Sequence, residues 1–87
     1  MERKACTHQG RGWRGRLAEP LSGNPTGAGD AAVAALAAGL AAGAPPEEMV
    51  QAAVAWSAAA VLQPVAGHVD PGDVNRLYHQ VLMEEFP

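Results

Sequence analysis

From Asp30 to Ala42 the chain is almost all alanine, interrupted only by Val33, Leu36, Gly39 and Leu40. Alanine is the strongest helix former and has the least carbon to bury. Such a stretch is fixed as a helix, yet it cannot hold a core together unaided. Val33, Leu36 and Leu40 recur at i, i+3 and i+7, so they form one stripe. The opposite side is also small and apolar, which predicts a helix covered on most sides. Gly43 and Pro45 supply its stop.

A second helix is expected from Pro45-Pro46-Glu47-Glu48 to about Leu62. Proline in the opening turn is pre-set for helix, and the two acids suit the positive end of the dipole. Pro64 and Gly67 end it. Asp70-Pro71-Gly72-Asp73 is a turn with N-cap chemistry. Beyond it Val74, Leu77, Tyr78, Val81 and Leu82 repeat at helical spacing, predicting a third helix through residue 82. Ahead of these helices, Trp13, Gly15 and Leu17 alternate, which points to one short N-terminal strand. Glu19 to Pro25 is loop chemistry, dense in Gly and Pro.

The chain is 87 residues long, and only 5% of them are aromatic. At this size about 60% of the extended surface is buried on folding, so a lone alanine-rich core is marginal. More protein around this segment is expected. Five of the six basic side chains lie in residues 1–16, whereas eight of the nine acids follow residue 16. A basic arm can meet an acidic partner, but solvated basic termini are commoner. Residues 1–12 are accordingly expected to be a basic, poorly ordered segment, and residues 13–87 the folded unit. Nucleic acid is not the expected partner.

One cysteine excludes an internal disulfide. Cys6 and His8 have ligand spacing without a second pair to complete a site, so no metal site is expected. Gly39, Gly43, Pro45 and Pro46 interrupt the apolar stretch too early for a membrane span. Residues 1–16 hold no hydrophobic run of the secretory kind, so no leader is expected. A cytoplasmic setting is the expectation.

The chemistry lies at the mouth of the first helix, in Asn24-Pro25-Thr26-Gly27-Ala28-Gly29-Asp30. Small residues at a helix start let backbone amides approach an anion, with the dipole behind them. An aspartate just inside that mouth is placed to take a proton from an attacking hydroxyl. The combination suits phosphoryl transfer, where positioning and charge stabilisation dominate. A bare Gly-x-Gly-Asp is more often a turn and an ordinary helix cap. A Walker loop is excluded, because the sole lysine is Lys4, and no Gly-x-Gly-x-x-Gly follows a predicted strand.

The run NPTGAGDAAVAAL, Asn24 to Leu36, resembles the C-terminal signature of the ribokinase/pfkB family of carbohydrate kinases. SGNPTGAGDA with the later PVAG-x-VD is most similar to its phosphofructokinase and tagatose-phosphate kinase branch, and the likeness covers residues 13–85. The resemblance implies a mainly α fragment, the C-terminal part of an α/β ribokinase-like fold. It implies Asp30 as catalytic base, and Gly27, Ala28 and Gly29 as the anion hole for the transferring phosphoryl group. Trp56 and Ser57 fall on the adenine side of the second helix, although a lone tryptophan there also packs as core. Asn24 and Thr26 fall where some relatives hold a monovalent cation. ATP is the implied donor, with Mg²⁺ on its phosphates, and a sugar or sugar phosphate the acceptor. Many relatives have threonine at Pro25, a tolerated departure, and His68 matches no catalytic position. The family's central sheet, lid, sugar-binding residues and metal-associated acidic motif are expected to have no counterpart here. The fragment is therefore expected to be inactive alone, and to need the missing part or a dimer partner. The alternative is a non-enzymatic helical domain that binds an acidic partner through its basic start.

Overall fold

The computed structural model describes residues 2–6, 12–18, 23, 27–63 and 69–86. Its elements are β1 (Glu2–Cys6), β2 (Gly12–Leu17), α1 (Ala28–Ala42), α2 (Pro46–Val61), α3 (Pro71–Tyr78) and β3 (Val81–Phe86). The three helices fall where the sequence placed them, and the N-terminal strand signal from Trp13 to Leu17 lies in β2. Two strands were not anticipated. β1 lies within the basic start, where the sequence showed no period. β3 replaces the last turns of the expected third helix.

The strands form one antiparallel sheet in the order β1-β2-β3. Leu17 lies opposite Val81, Arg16 opposite Leu82, and Arg14 opposite Glu84. In the backbone register of the first strand Lys4 pairs with Arg14 and Glu2 with Arg16. The reason α3 stops early is visible in the burial of Val81 and the exposure of Leu82 at 45%. A helix would bury both as neighbours on one face; a strand turns successive side chains to opposite faces. Spacing alone suits either structure. The unpaired flank of β2 decides, because it offers backbone partners that a helix cannot use.

α2 is the central element. One side packs on the sheet and on α3, where Val54, Ala55, Ala58 and Ala59 meet Leu17 and Val81 of the strands and Leu77 of α3 in the main core. Gly15 makes that approach feasible: a Cβ there would lie 3.0–3.2 Å from Met83 Sδ, Val50 Cγ1 and Val54 Cγ2. The other side of α2 meets α1 through Ala32, Ala35 and Ala53. The α1 stripe is thereby corrected. Its buried residues are Ala28, Ala31, Ala32 and Ala35, whereas Val33 and Leu40 are 65% and 72% exposed. Alanines let two helix backbones come close, and turning the larger residues inward would hold them apart.

The helix ends follow local rules. Pro46 opens α2 with Glu47 and Glu48 in its first turn. The Asp70 side chain caps α3, accepting from the amides of Gly72 at 2.7 Å and Asp73 at 3.2 Å. Gly43 closes α1 in the left-handed region, φ 70°. Among the described residues no helix is long and apolar enough to cross a membrane.

Candidate functional site

Gly27 starts α1 in a left-handed conformation, φ 87° and ψ −6°. That conformation favours glycine, because a Cβ would crowd the backbone. The first helical bond runs from Ala31 N–H to the Gly27 carbonyl at 3.0 Å. The amides of Ala28, Gly29 and Asp30 therefore precede the helical ladder, and no intrahelical acceptor exists for them. Among the described residues no side chain caps this end. Among the described residues a Cβ placed on Gly29 would meet nothing within 4 Å. Asp30, in the first turn, is exposed beside it.

The first turn is anchored from behind. Ser57, fully buried on α2, donates its Oγ–H to the Ala28 carbonyl at 3.0 Å. Ala28 itself is buried against α2. Ser57 therefore holds the mouth of α1 in place and presents no surface to a ligand. Its neighbour differs: Trp56 is half-buried and lines a cleft. Gly23 contributes differently, since a Cβ there would collide with the Val61 carbonyl oxygen.

Gly27, Asp30 and Trp56 share one cleft of about 410 Å³, completed by alanines and Val69. Three residues singled out from the sequence thus come together, although Trp56 lies a whole helix downstream. Val69, Ala31, Ala34 and Ala60 complete the walls and were not foreseen. Small apolar residues carry no chemical signal, and only their place in the fold identifies them. A second cleft of about 410 Å³ lies between α2 and α3 and meets the first at Trp56 and Val69. Both volumes fall in the usual range for small-molecule sites. Tyr78 lines the second, and burial, followed by the charges of Glu48 and Glu47, pushes its phenol above the usual 10.0.

Asn24, Thr26, Pro25, His8 and His68 lie outside the described residues. Among the described residues no three His, Cys, Asp or Glu side chains gather as a metal site. The donor set of the α1 mouth suits an anion on one ground: its leading amides have no intrahelical acceptor, and the helix dipole stands behind them.

The sequence profile of pfkB family carbohydrate kinases matches residues 18–71, a span holding α1, α2 and the whole glycine-rich mouth. No curated protein matches the chain. Several solved structures share its fold. A candidate phosphofructokinase from Staphylococcus aureus superimposes with a TM-score of 0.77 at 24% identity, over 87% of this chain and 24% of its own. A candidate sugar kinase from Clostridium perfringens gives 0.69 at 24% identity, over 87% of this chain and 25% of its own. The chain thus spans about a quarter of the length of these structures.

Proposed function

The chain belongs to the pfkB family of carbohydrate kinases, and from that premise we propose that it carries the phosphoryl-transfer corner of an ATP-dependent hexose or hexose-phosphate kinase. Asp30 takes the proton of the attacking sugar hydroxyl. The amides of Ala28, Gly29 and Asp30, set by left-handed Gly27, donate to the oxygens of the transferring phosphoryl group. Removing one such preorganised donor typically costs about 10²–10³ in rate, so three together are a large share of the catalysis. Mg²⁺ bound to the nucleotide phosphates would supply neutralising charge. Trp56 walls the nucleotide side, and Ser57 acts as a positioning residue through the Ala28 carbonyl. ATP as donor sets the work in the cytoplasm.

The single observation that carries this reading is that Gly27, Asp30 and Trp56 line one cleft at an uncapped helix mouth. The sugar's own site belongs to the rest of the ribokinase-like domain, so the 87-residue chain turns over little ATP alone. A base without a held acceptor contributes nothing to proximity. A coupled ATP-turnover assay with fructose phosphates is expected to give background rates for the isolated chain. Grafted in place of the matching quarter of the S. aureus protein, the same residues are expected to support turnover. Asp30→Asn in that chimera should then lower kcat by about 10²–10⁴, with the melting transition retained. A folded, active chimera indifferent to Asp30→Asn would defeat the assignment, and strong turnover by the lone chain would defeat the claim of incompleteness.

A further inference from the structure

We propose that the cavity where α1, α2 and α3 meet, apart from the α1 mouth, binds the quaternary ammonium group of a free small molecule. The cavity measures about 270 Å³ and is lined by Ala35, Ala38 and Gly39 of α1, Glu48 and Trp56 of α2, and Tyr78 of α3. Glu48 is the one charged residue among the described residues of its lining. On α2 Glu48 and Trp56 stand at i and i+8, so the carboxylate and the indole share one side of the helix. From α1 nothing larger than a methyl group projects into the space, and both aromatic residues are only half-buried.

The surroundings of the cavity are negative. Glu47 and Glu48 lie in the first turn of α2. α1 ends beside the cavity, at Gly39 and Ala44, with no basic residue in its last turn. That end of a helix carries the negative pole of its dipole. Tyr78 registers the field: burial first, then Glu48 and Glu47, raise its phenol above 10.0. Past residue 16 the chain has a single basic side chain, Arg76, and it pairs with Asp73 at 3.1 Å. Among the described residues no basic side chain lines the cavity.

The lining also selects the kind of cation. Calcium takes about six to eight oxygens and magnesium a full octahedral set, whereas these side chains offer one carboxylate and one phenol. A primary ammonium brings N–H donors that each need an acceptor on entering an apolar space. A quaternary ammonium brings none. Its methyl groups pack on alanine and ring faces, and its charge is drawn to Trp56, Tyr78 and Glu48. The tyrosine wall is set beforehand. Gln51 donates to the Tyr78 carbonyl at 2.8 Å, and the His79 ring stands edge-on to the Tyr78 ring, with centroids 5.7 Å apart. A lipid head group carries a phosphate beside its ammonium, which Glu47 and Glu48 repel; a free cation escapes that repulsion.

The test is a titration of the full chain, labelled with ¹⁵N, by choline and by neohexyl alcohol, its uncharged carbon isostere. Choline should move the Trp56 indole resonance, while the indole of Trp13 on β2 stays fixed. It should bind about tenfold more tightly than the neutral alcohol. Glu48→Gln should remove most of that preference, whereas Glu47→Gln, outside the lining, should change it less than about twofold. Both glutamates are exposed, so neither variant disturbs the fold. Equal binding of choline and the alcohol, a preference that survives Glu48→Gln, or an indole that choline leaves unmoved overturns the site. Phosphatidylcholine vesicles should leave the indole in place; a shift by vesicles without one by choline overturns the assignment to a free ligand. None of these outcomes bears on the kinase reading.

Discussion

Ser57→Ala tests whether the α1 mouth is set by its own sequence or by the helix behind it. The Ser57 hydroxyl reaches the Ala28 carbonyl across 29 residues of chain, at 3.0 Å in a fully buried setting. A neutral hydrogen bond of this kind contributes about 1 kcal/mol net. The orphan penalty is small here, because the Ala28 carbonyl keeps its place in the helical ladder. The removed oxygen leaves a void smaller than a methyl group, adding at most a few tenths of a kcal/mol. For a domain of this size about 1 kcal/mol corresponds to a fall of roughly 4–8 °C in melting temperature. Thermal unfolding followed by circular dichroism measures it, with Ser57→Thr as the variant that keeps the hydroxyl. The same samples carry a second readout: the backbone amide resonances of Ala28, Gly29 and Asp30 should move in Ser57→Ala. An unchanged melting temperature together with unmoved amides would refute the anchoring role.

Three further outcomes follow from the packing. Gly39→Ala places a Cβ 2.7 Å from Met49 Cγ; it should destabilise the wild-type chain, yet in a Met49→Ala background it should stabilise by up to about 1 kcal/mol, since alanine is the better helix former, as chemical denaturation of the four variants would show. Leu40→Lys, at a site 72% exposed, should change stability by no more than about 0.5 kcal/mol, and a collapse of the melt would mean that Leu40 is core after all. The Tyr78 phenol is raised above 10.0 by burial and then by Glu48 and Glu47, so the native state holds its proton longer than the unfolded chain does. Stability should therefore be constant on this account below pH 10.0 and fall as pH rises through the elevated value; Tyr78→Phe should flatten that alkaline fall, and an equally steep fall in the variant would dismiss the link.

Legibility from sequence divides by the range of the interaction. The starts and stops of α1 and α2 were readable because proline, glycine and the acids act on the backbone within a turn. The same holds for Asp70, whose side chain caps the amides two and three residues ahead. The span from Val74 to Leu82 misled because its apolar spacing satisfies a helix and its last residues also satisfy a strand. Val33 and Leu40 misled for another reason: hydrophobicity favours burial, but close helix pairing favoured the alanines. Of the two adjacent residues Trp56 and Ser57, nothing local indicates which one faces a cleft.

By itself the amino-acid order determined that an alanine helix begins at a glycine-rich mouth with an aspartate inside it. Each of those features is a backbone preference satisfied within a few residues. Tertiary structure decided which side of α1 turns inward, that Val81 to Phe86 pairs with β2, and that Trp56 joins Gly27 and Asp30 at one cleft. Those outcomes require a neighbour distant in the chain, because ladder pairing and helix-on-helix contact compare whole surfaces with each other.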